Sequence, residues 1–229
     1  MPTRLAEGVW MLDLGLVPPL STNGYLVDDG TVTLIDPGLF WNRPSLGAEL
    51  SEIGYEVADV DRVFLTHYDL DHTGGLRALD GEFDGPVYIG ADDLALVRRE
   101  QHPKLIHHKG LFHRAARRLF PLPAHMDLRG VEDGEEIGRF TAFHTPGHNP
   151  GHTVFVHDSG VAFLGDLVWE SDGRLTPPIW FDSYDMREIG ESIRGLAERV
   201  PSFEVAAVAH GTPLIRDGRT KLLECAARL

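Results

Sequence analysis

The sequence predicts an α/β protein whose strands and helices stack in layers. Three observations point there. Short apolar runs closed by Gly, Pro or Asp alternate with helix-spaced segments through the first half. The second half returns to strands followed by a helix, a coarse symmetry that suits a duplicated sandwich. A hydrophobic content of 42% with 25 Gly and 15 Pro describes a compact, turn-rich chain. At 229 residues it buries a substantial core, and one domain spanning 1–229 is the simplest organisation.

The elements follow in order. Residues 24–27 and 31–35 are β-prone runs separated by Asp28-Asp29-Gly30, a hairpin signal, and Asp36-Pro37-Gly38 ends the second. Residues 45–54 have helical spacing through Leu46, Leu50 and Ile53, with Ser45 as the cap. Residues 61–66 are a buried strand, and 73–79 begin the next helix. A strand at 86–89 and a helix at 91–99 complete the first half. Between residues 100 and 129 the regularity fails: five His and several Arg are interspersed with Leu111, Phe112, Leu119 and Phe120. Those apolar residues need a packing partner, so the segment reads as a helical cap inserted into the domain. Strands at 139–143, 153–157 and 161–164 follow, then a helix at 184–200 with Met186, Ile189, Ile193, Leu196 and Val200 on one stripe. A last buried strand at 205–208 leads into His210, and the terminal segment around Cys225 reads as one face of a last helix.

The net charge of −14 disfavours a nucleic-acid partner, because a phosphate backbone needs a positive surface. Charge constrains solubility and steering, not reaction type. The single cysteine, Cys225, excludes an internal disulfide and argues for a reducing compartment. No apolar leader opens the chain and no stretch approaches the ~18 apolar residues of a membrane span. A cytoplasmic protein without a membrane partner is the expectation.

The chemistry lies in His67-Tyr68-Asp69-Leu70-Asp71-His72, directly after the apolar run Val63-Phe64-Leu65. A second group is Pro146-Gly147-His148-Asn149-Pro150-Gly151-His152. Asp166 follows the run 161–164, and His210 follows the run 205–208. A lone His is most often a hydrogen-bonded structural residue. Here imidazoles and carboxylates recur at the ends of apolar runs or in Gly/Pro turns, where strands hold loops rigid enough to build a metal site. His152 reads as a residue that steadies its turn.

These segments together resemble the metallo-β-lactamase superfamily over nearly the whole chain. Its pattern of His-x-His-x-Asp-His, a later His in a Pro-Gly-His turn, an Asp after a strand and a late His is met by His67, Asp69, Asp71, His72, His148, Asp166 and His210. The stretches 23–27 and 34–38 look like the family's N-terminal strands. The resemblance implies a four-layer αβ/βα sandwich with the site at one edge of two facing sheets. It implies two divalent metal ions: one on His67, Asp69 and His148, the other on Asp71, His72 and His210, with Asp166 bridging. Such a pair shares a hydroxide that attacks a polarised carbonyl. Asp71 would orient it and protonate the leaving group. Asp69 stands where the family has a second His. It supplies a harder oxygen and one more negative charge, which moves the preference from zinc, the first choice, toward iron or manganese. Related di-iron members carry an acidic residue at the matching place. Asp36 resembles the family's buried strand-end Asp and would either support the His/Asp loop or cap a turn.

The reaction implied is hydrolysis of a small carboxylic ester or lactone. A glyoxalase-type thioesterase, a β-lactam hydrolase and a non-hydrolytic di-iron sensor or oxidoreductase are the alternatives. The family's lactonases place a Tyr three residues after the bridging Asp, where this chain has Trp169, a ring without that hydroxyl. Tyr68, Trp169, Trp180 and Phe112 are the candidates for contacting a small, partly apolar substrate. The aromatic residues could instead seal the sandwich edge or a homodimer contact.

Overall fold

The computed structural model describes residues 1–15, 22–103 and 107–229. Its strands are β1 (Thr3–Ala6), β2 (Val9–Asp13), β3 (Asn23–Asp28), β4 (Val32–Ile35), β5 (Arg62–Leu65), β6 (Pro86–Gly90), β7 (Asp127–Val131), β8 (Glu136–Ile137), β9 (Phe140–His144), β10 (Thr153–His157), β11 (Val161–Gly165), β12 (Trp169–Ser171), β13 (Arg174–Thr176) and β14 (Val205–Val208). The helices are α1 (Leu46–Glu52), α2 (Leu70–Thr73), α3 (Ala91–Val97), α4 (His108–Leu119), α5 (Met186–Arg199) and α6 (Gly218–Ala226). Strands β1 to β7 form one sheet in sequence order, and the other runs β14-β11-β10-β9-β8. The first is antiparallel up to β4 and parallel from β4 to β7.

Strand alternation builds the layers. In β10, Phe155 faces the space between the sheets, while Val154 and Val156 face the helices α5 and α6. In β5, Phe64 points inward and stacks on Phe155 at 4.6 Å, while Val63 and Leu65 pack outward with Leu46, Leu50 and Leu94 of α1 and α3. Helix, sheet, sheet, helix is therefore the order of layers, and the αβ/βα sandwich is the fold.

Local chemistry sets the element ends. Ser45 accepts a hydrogen bond from the Ala48 amide, and Asp185 caps α5 through the Arg187 and Glu188 amides. The cap at Asp185 is why α5 begins two residues later than the stripe alone suggests. The helix expected at 73–79 starts earlier, as α2 at Leu70, and tightens into a 3₁₀ turn over Gly74–Ala78. The expected insertion ends sooner. Its centre is helix α4, but residues 127–129 belong to β7, an edge strand whose polar, exposed Asp127 and Arg129 hide its β character. The hairpin β1–β2 lies ahead of the first expected strand. Among the described residues no helix is long and apolar enough to cross a membrane.

Two glycines bring the site loops together. A side chain at Gly75 would meet the Pro37 carbonyl oxygen at 2.0 Å, and one at Gly90 would meet that of Gly151 at 1.9 Å. The loops after β4, β5, β9, β11 and β14 thus converge at one edge of the sandwich.

Candidate metal centre

Asp36, at the end of β4, organises the His67–His72 loop. It accepts the Thr66 amide at 2.8 Å and the Thr66 hydroxyl at 2.7 Å, and its Oδ2 lies 3.0 Å from His72 Nδ1. The Thr66 hydroxyl, having donated its proton to Asp36, accepts from His67 Nδ1 at 3.0 Å. Both imidazoles are thereby left with Nε2 lone pairs turned inward. His67 Nε2, His72 Nε2 and Asp166 Oδ1 are buried without a hydrogen-bond partner among the described residues. Orphaned buried acceptors are costly, and a cation is what this set fits.

The other half of the centre comes from the second sheet. His152 accepts the Asp166 amide at Nε2, 3.1 Å, and its Nδ1 lies 2.8 Å from Thr145 Oγ1, so it steadies the turn. Asp166 Oδ2 sits 3.3 Å from His210 Nε2, 3.4 Å from His148 Nε2 and 3.8 Å from His72 Nε2. Asp71 Oδ2 is 3.5 Å from both His72 Nε2 and His210 Nε2 and accepts the Thr22 hydroxyl at 3.0 Å. The seven expected ligands therefore meet as two adjoining pockets. His67, Asp69 and His148 form the first; Asp71, His72 and His210 form the second, with ligand atoms within 4.8 Å in each. Asp166 lies between them.

The second pocket is strongly electronegative. Burial pulls the His72 imidazole down, yet Asp71, Asp36 and Asp166 outweigh it and hold it up at about 10. His210 is likewise lowered by burial and raised more by Asp166 and Asp71, to about 9. Burial pushes Asp166 up, but the His210, His148 and His72 imidazoles keep it well below the usual carboxylate range. A pocket that favours cations on its own imidazoles is one that attracts a divalent ion. His67 differs: burial, then repulsion from His72, drives it well below the ordinary imidazole value.

The first pocket holds residues that motif reading did not find. Lys109 of α4 places Nζ 2.8 Å from Asp69 Oδ2 and 2.7 Å from His148 Nε2. His113, one turn on, puts Nε2 2.5 Å from Asp69 Oδ1, which also accepts Asn149 Nδ2 at 3.0 Å. Burial raises the Asp69 carboxyl, but Lys109, His67 and His113 hold it well below the carboxylate range. Asp93 ties the two site loops by accepting the Tyr68 and Gly151 amides, each at 2.7 Å. The i, i+4 spacing of Lys109 and His113 was the available signal, since it sets both on one helix face.

The expected substrate contacts divide. Trp169 lies against the centre, its ring 5.0 Å from that of His210. Trp180 and Phe181 are exposed beside α4, packed on His108. Phe112 is half-exposed on α4. Tyr68 is buried in the apolar layer between the first sheet and its helices. Residues 66–68 lie beyond β5, where strand alternation no longer applies, and the Tyr68 amide is held by the Asp93 carboxylate.

Comparison with known proteins agrees with this geometry. The family described as the metallo-beta-lactamase superfamily matches residues 17–208. Probable metallo-hydrolase YybB of Bacillus subtilis (strain 168) is 26% identical over 193 residues, 81% of this chain and 80% of that protein. A hydroxyacylglutathione hydrolase of Aeromonas hydrophila is 30% identical over 121 residues, 51% of this chain and 37% of that enzyme. The crystal structure of TTHA1623 in a di-iron-bound form aligns with a TM-score of 0.63 at 26% identity, covering 88% of this chain and 92% of that one. The matched span takes in every expected ligand except His210, and on it the chain belongs to the metallo-beta-lactamase superfamily of metal-dependent hydrolases.

Proposed function

We propose that this metal-dependent hydrolase cleaves a small acyl thioester. The observation that carries the reading is the likeness to hydroxyacylglutathione hydrolases, at 28–30% identity over part of the chain. The ester or lactone expected from sequence differs in its leaving atom, oxygen in place of sulfur. Trp169 at the lactonase tyrosine position, 5.0 Å from the His210 ring, favours the thioester.

Asp71, His72, His210 and Asp166 would hold a divalent ion, which when bound would supply Lewis acidity and a water that deprotonates near pH ~7. The protein's own groups do the rest. Asp36 fixes the His72 ring, so that Nε2 keeps its aim at the pocket. Asp71 is the one carboxylate of the pocket that is partly open, about a third exposed, and the Thr22 hydroxyl holds its Oδ2. In this reading it takes the proton of the attacking water and returns it to the departing thiolate. Trp169 and Trp180 would hold the acyl part. Two carboxylates with two imidazoles suit iron or manganese as well as zinc, and the di-iron form of TTHA1623 supports weighing iron. The buried, unpaired thiol of Cys225 supports a cytoplasmic setting.

The test is metal analysis of the purified protein with turnover on thioester, ester, lactone and β-lactam substrates, and redox spectra for an electron-transfer centre. Thioester turnover is expected to exceed the others. Asp166→Asn should lose both bound metal and hydrolysis; full turnover by a metal-free Asp166→Asn protein would overturn the mechanism.

A further inference from the structure

Two of the first pocket's three ligands, Asp69 and His148, already hold a cation of the chain's own, while His67 Nε2 has no hydrogen-bond partner among the described residues. The Lys109 ammonium is buried, and its three protons meet three acceptors: Asp69 Oδ2 at 2.8 Å, His148 Nε2 at 2.7 Å and the Asp182 carbonyl at 2.7 Å. A neutral imidazole nitrogen has a single lone pair. Once His148 Nε2 accepts from Lys109, it has nothing left for an ion. The opposite ring nitrogen, Nδ1, faces the Ser183 hydroxyl at 3.4 Å, as that tautomer requires. Asp69 is largely committed as well, its Oδ1 to His113 and Asn149 and its Oδ2 to Lys109.

We propose that Lys109 replaces the first metal ion, so that the protein binds a single divalent ion, in the Asp71–His72–His210 pocket. Asp69 in place of a histidine adds one negative charge, and Lys109 returns one positive charge against it. The two departures are a matched pair: neither is sensible alone, because an unpaired buried charge of either sign is strongly unfavourable. With the ammonium in place, a divalent ion in the same pocket meets both like charge and occupied ligands. The second pocket keeps its own ligand set of Asp71, His72 and His210, and Asp166 Oδ1 has no hydrogen-bond partner among the described residues. Helix α4 is then more than a cover: it places Lys109 Nζ in the centre.

This inference rests on the second pocket being a metal site, and the experiment separates the two. Metal-stripped protein is titrated with Zn²⁺ and with Co²⁺, reading bound metal per chain by elemental analysis and the Co²⁺ absorption bands. The wild type is expected to take one equivalent. Lys109→Met, similar in size and uncharged, frees the pocket and should take two. The double variant Asp69→His, Lys109→Met rebuilds a three-imidazole pocket without stranding a buried carboxylate; it too should take two, and circular dichroism checks its fold. Two tight equivalents in the wild type, or one in a folded double variant, would overturn the replacement and leave the hydrolase reading standing. No bound metal in any protein would overturn both.

Discussion

Asp36 governs the centre without belonging to its ligand set. It adopts a left-handed backbone conformation, φ 49°, and spends its two oxygens on Thr66 and His72. Asn tolerates that backbone, so Asp36→Asn isolates the chemistry. Its amide nitrogen would face a donor in either orientation, the Thr66 amide or else the Thr66 hydroxyl together with His72 Nδ1–H, and the His72 ring would lose its carboxylate partner. Metal affinity is expected to fall about 10- to 100-fold, read by chelator competition; an unchanged affinity would confine Asp36 to shaping its turn. The ligand residues were legible because they cluster in short motifs at strand ends. Lys109, His113 and Asp93 were not, since each acts across a tertiary contact 25 to 44 residues away in sequence. The unbalanced charge of Asp69 and the i, i+4 spacing of Lys109 and His113 were the hints that a partner had to exist.

Among elements, α5 does two jobs. Its stripe of Ile189, Ile193 and Leu196 is buried against the second sheet. Just ahead of its first turn, the amides of Tyr184 and Asp185 bond to the Gly147 carbonyl, at 2.9 and 2.8 Å, beside His148. Packing and site position are therefore separable. Ile193→Ala should cost about 2–5 kcal/mol of stability in denaturant unfolding, through lost transfer and a cavity. Asp185→Ala removes the side-chain cap, about 1 kcal/mol, yet leaves the backbone tie to Gly147 intact, so metal binding should hold. A shifted His148 imidazole NMR signal in a folded Asp185→Ala protein would show that the cap, not the backbone, sets the His148 turn. Elements of this kind were readable because their apolar stripes are long. Strand β7 carries only Leu128 and Val131 as apolar residues on the sheet edge, too little signal to separate it from the insertion before it.

At the scale of the molecule, the centre lies where the two halves of the sandwich meet. Asp71 and His72 come from the loop after β5 in one sheet, while Asp166 and His210 follow β11 and β14 in the other. An ion held by all four links two sheets that otherwise meet through the apolar layer around Phe64, Phe155 and Phe163. The unfolded chain cannot assemble these ligands, so binding adds to folding stability by mass action. Free metal at a hundredfold its dissociation constant contributes about 2.7 kcal/mol. For a chain of this length each kcal/mol moves Tm by roughly 2–4 °C. Chelation should therefore lower Tm by about 5–11 °C in a thermal melt. If Lys109 stands in for the first ion, one equivalent of metal restores the loss in full. A melt that needs a second equivalent would place an ion beside Lys109, and one indifferent to chelation would mean that no ion bridges the sheets.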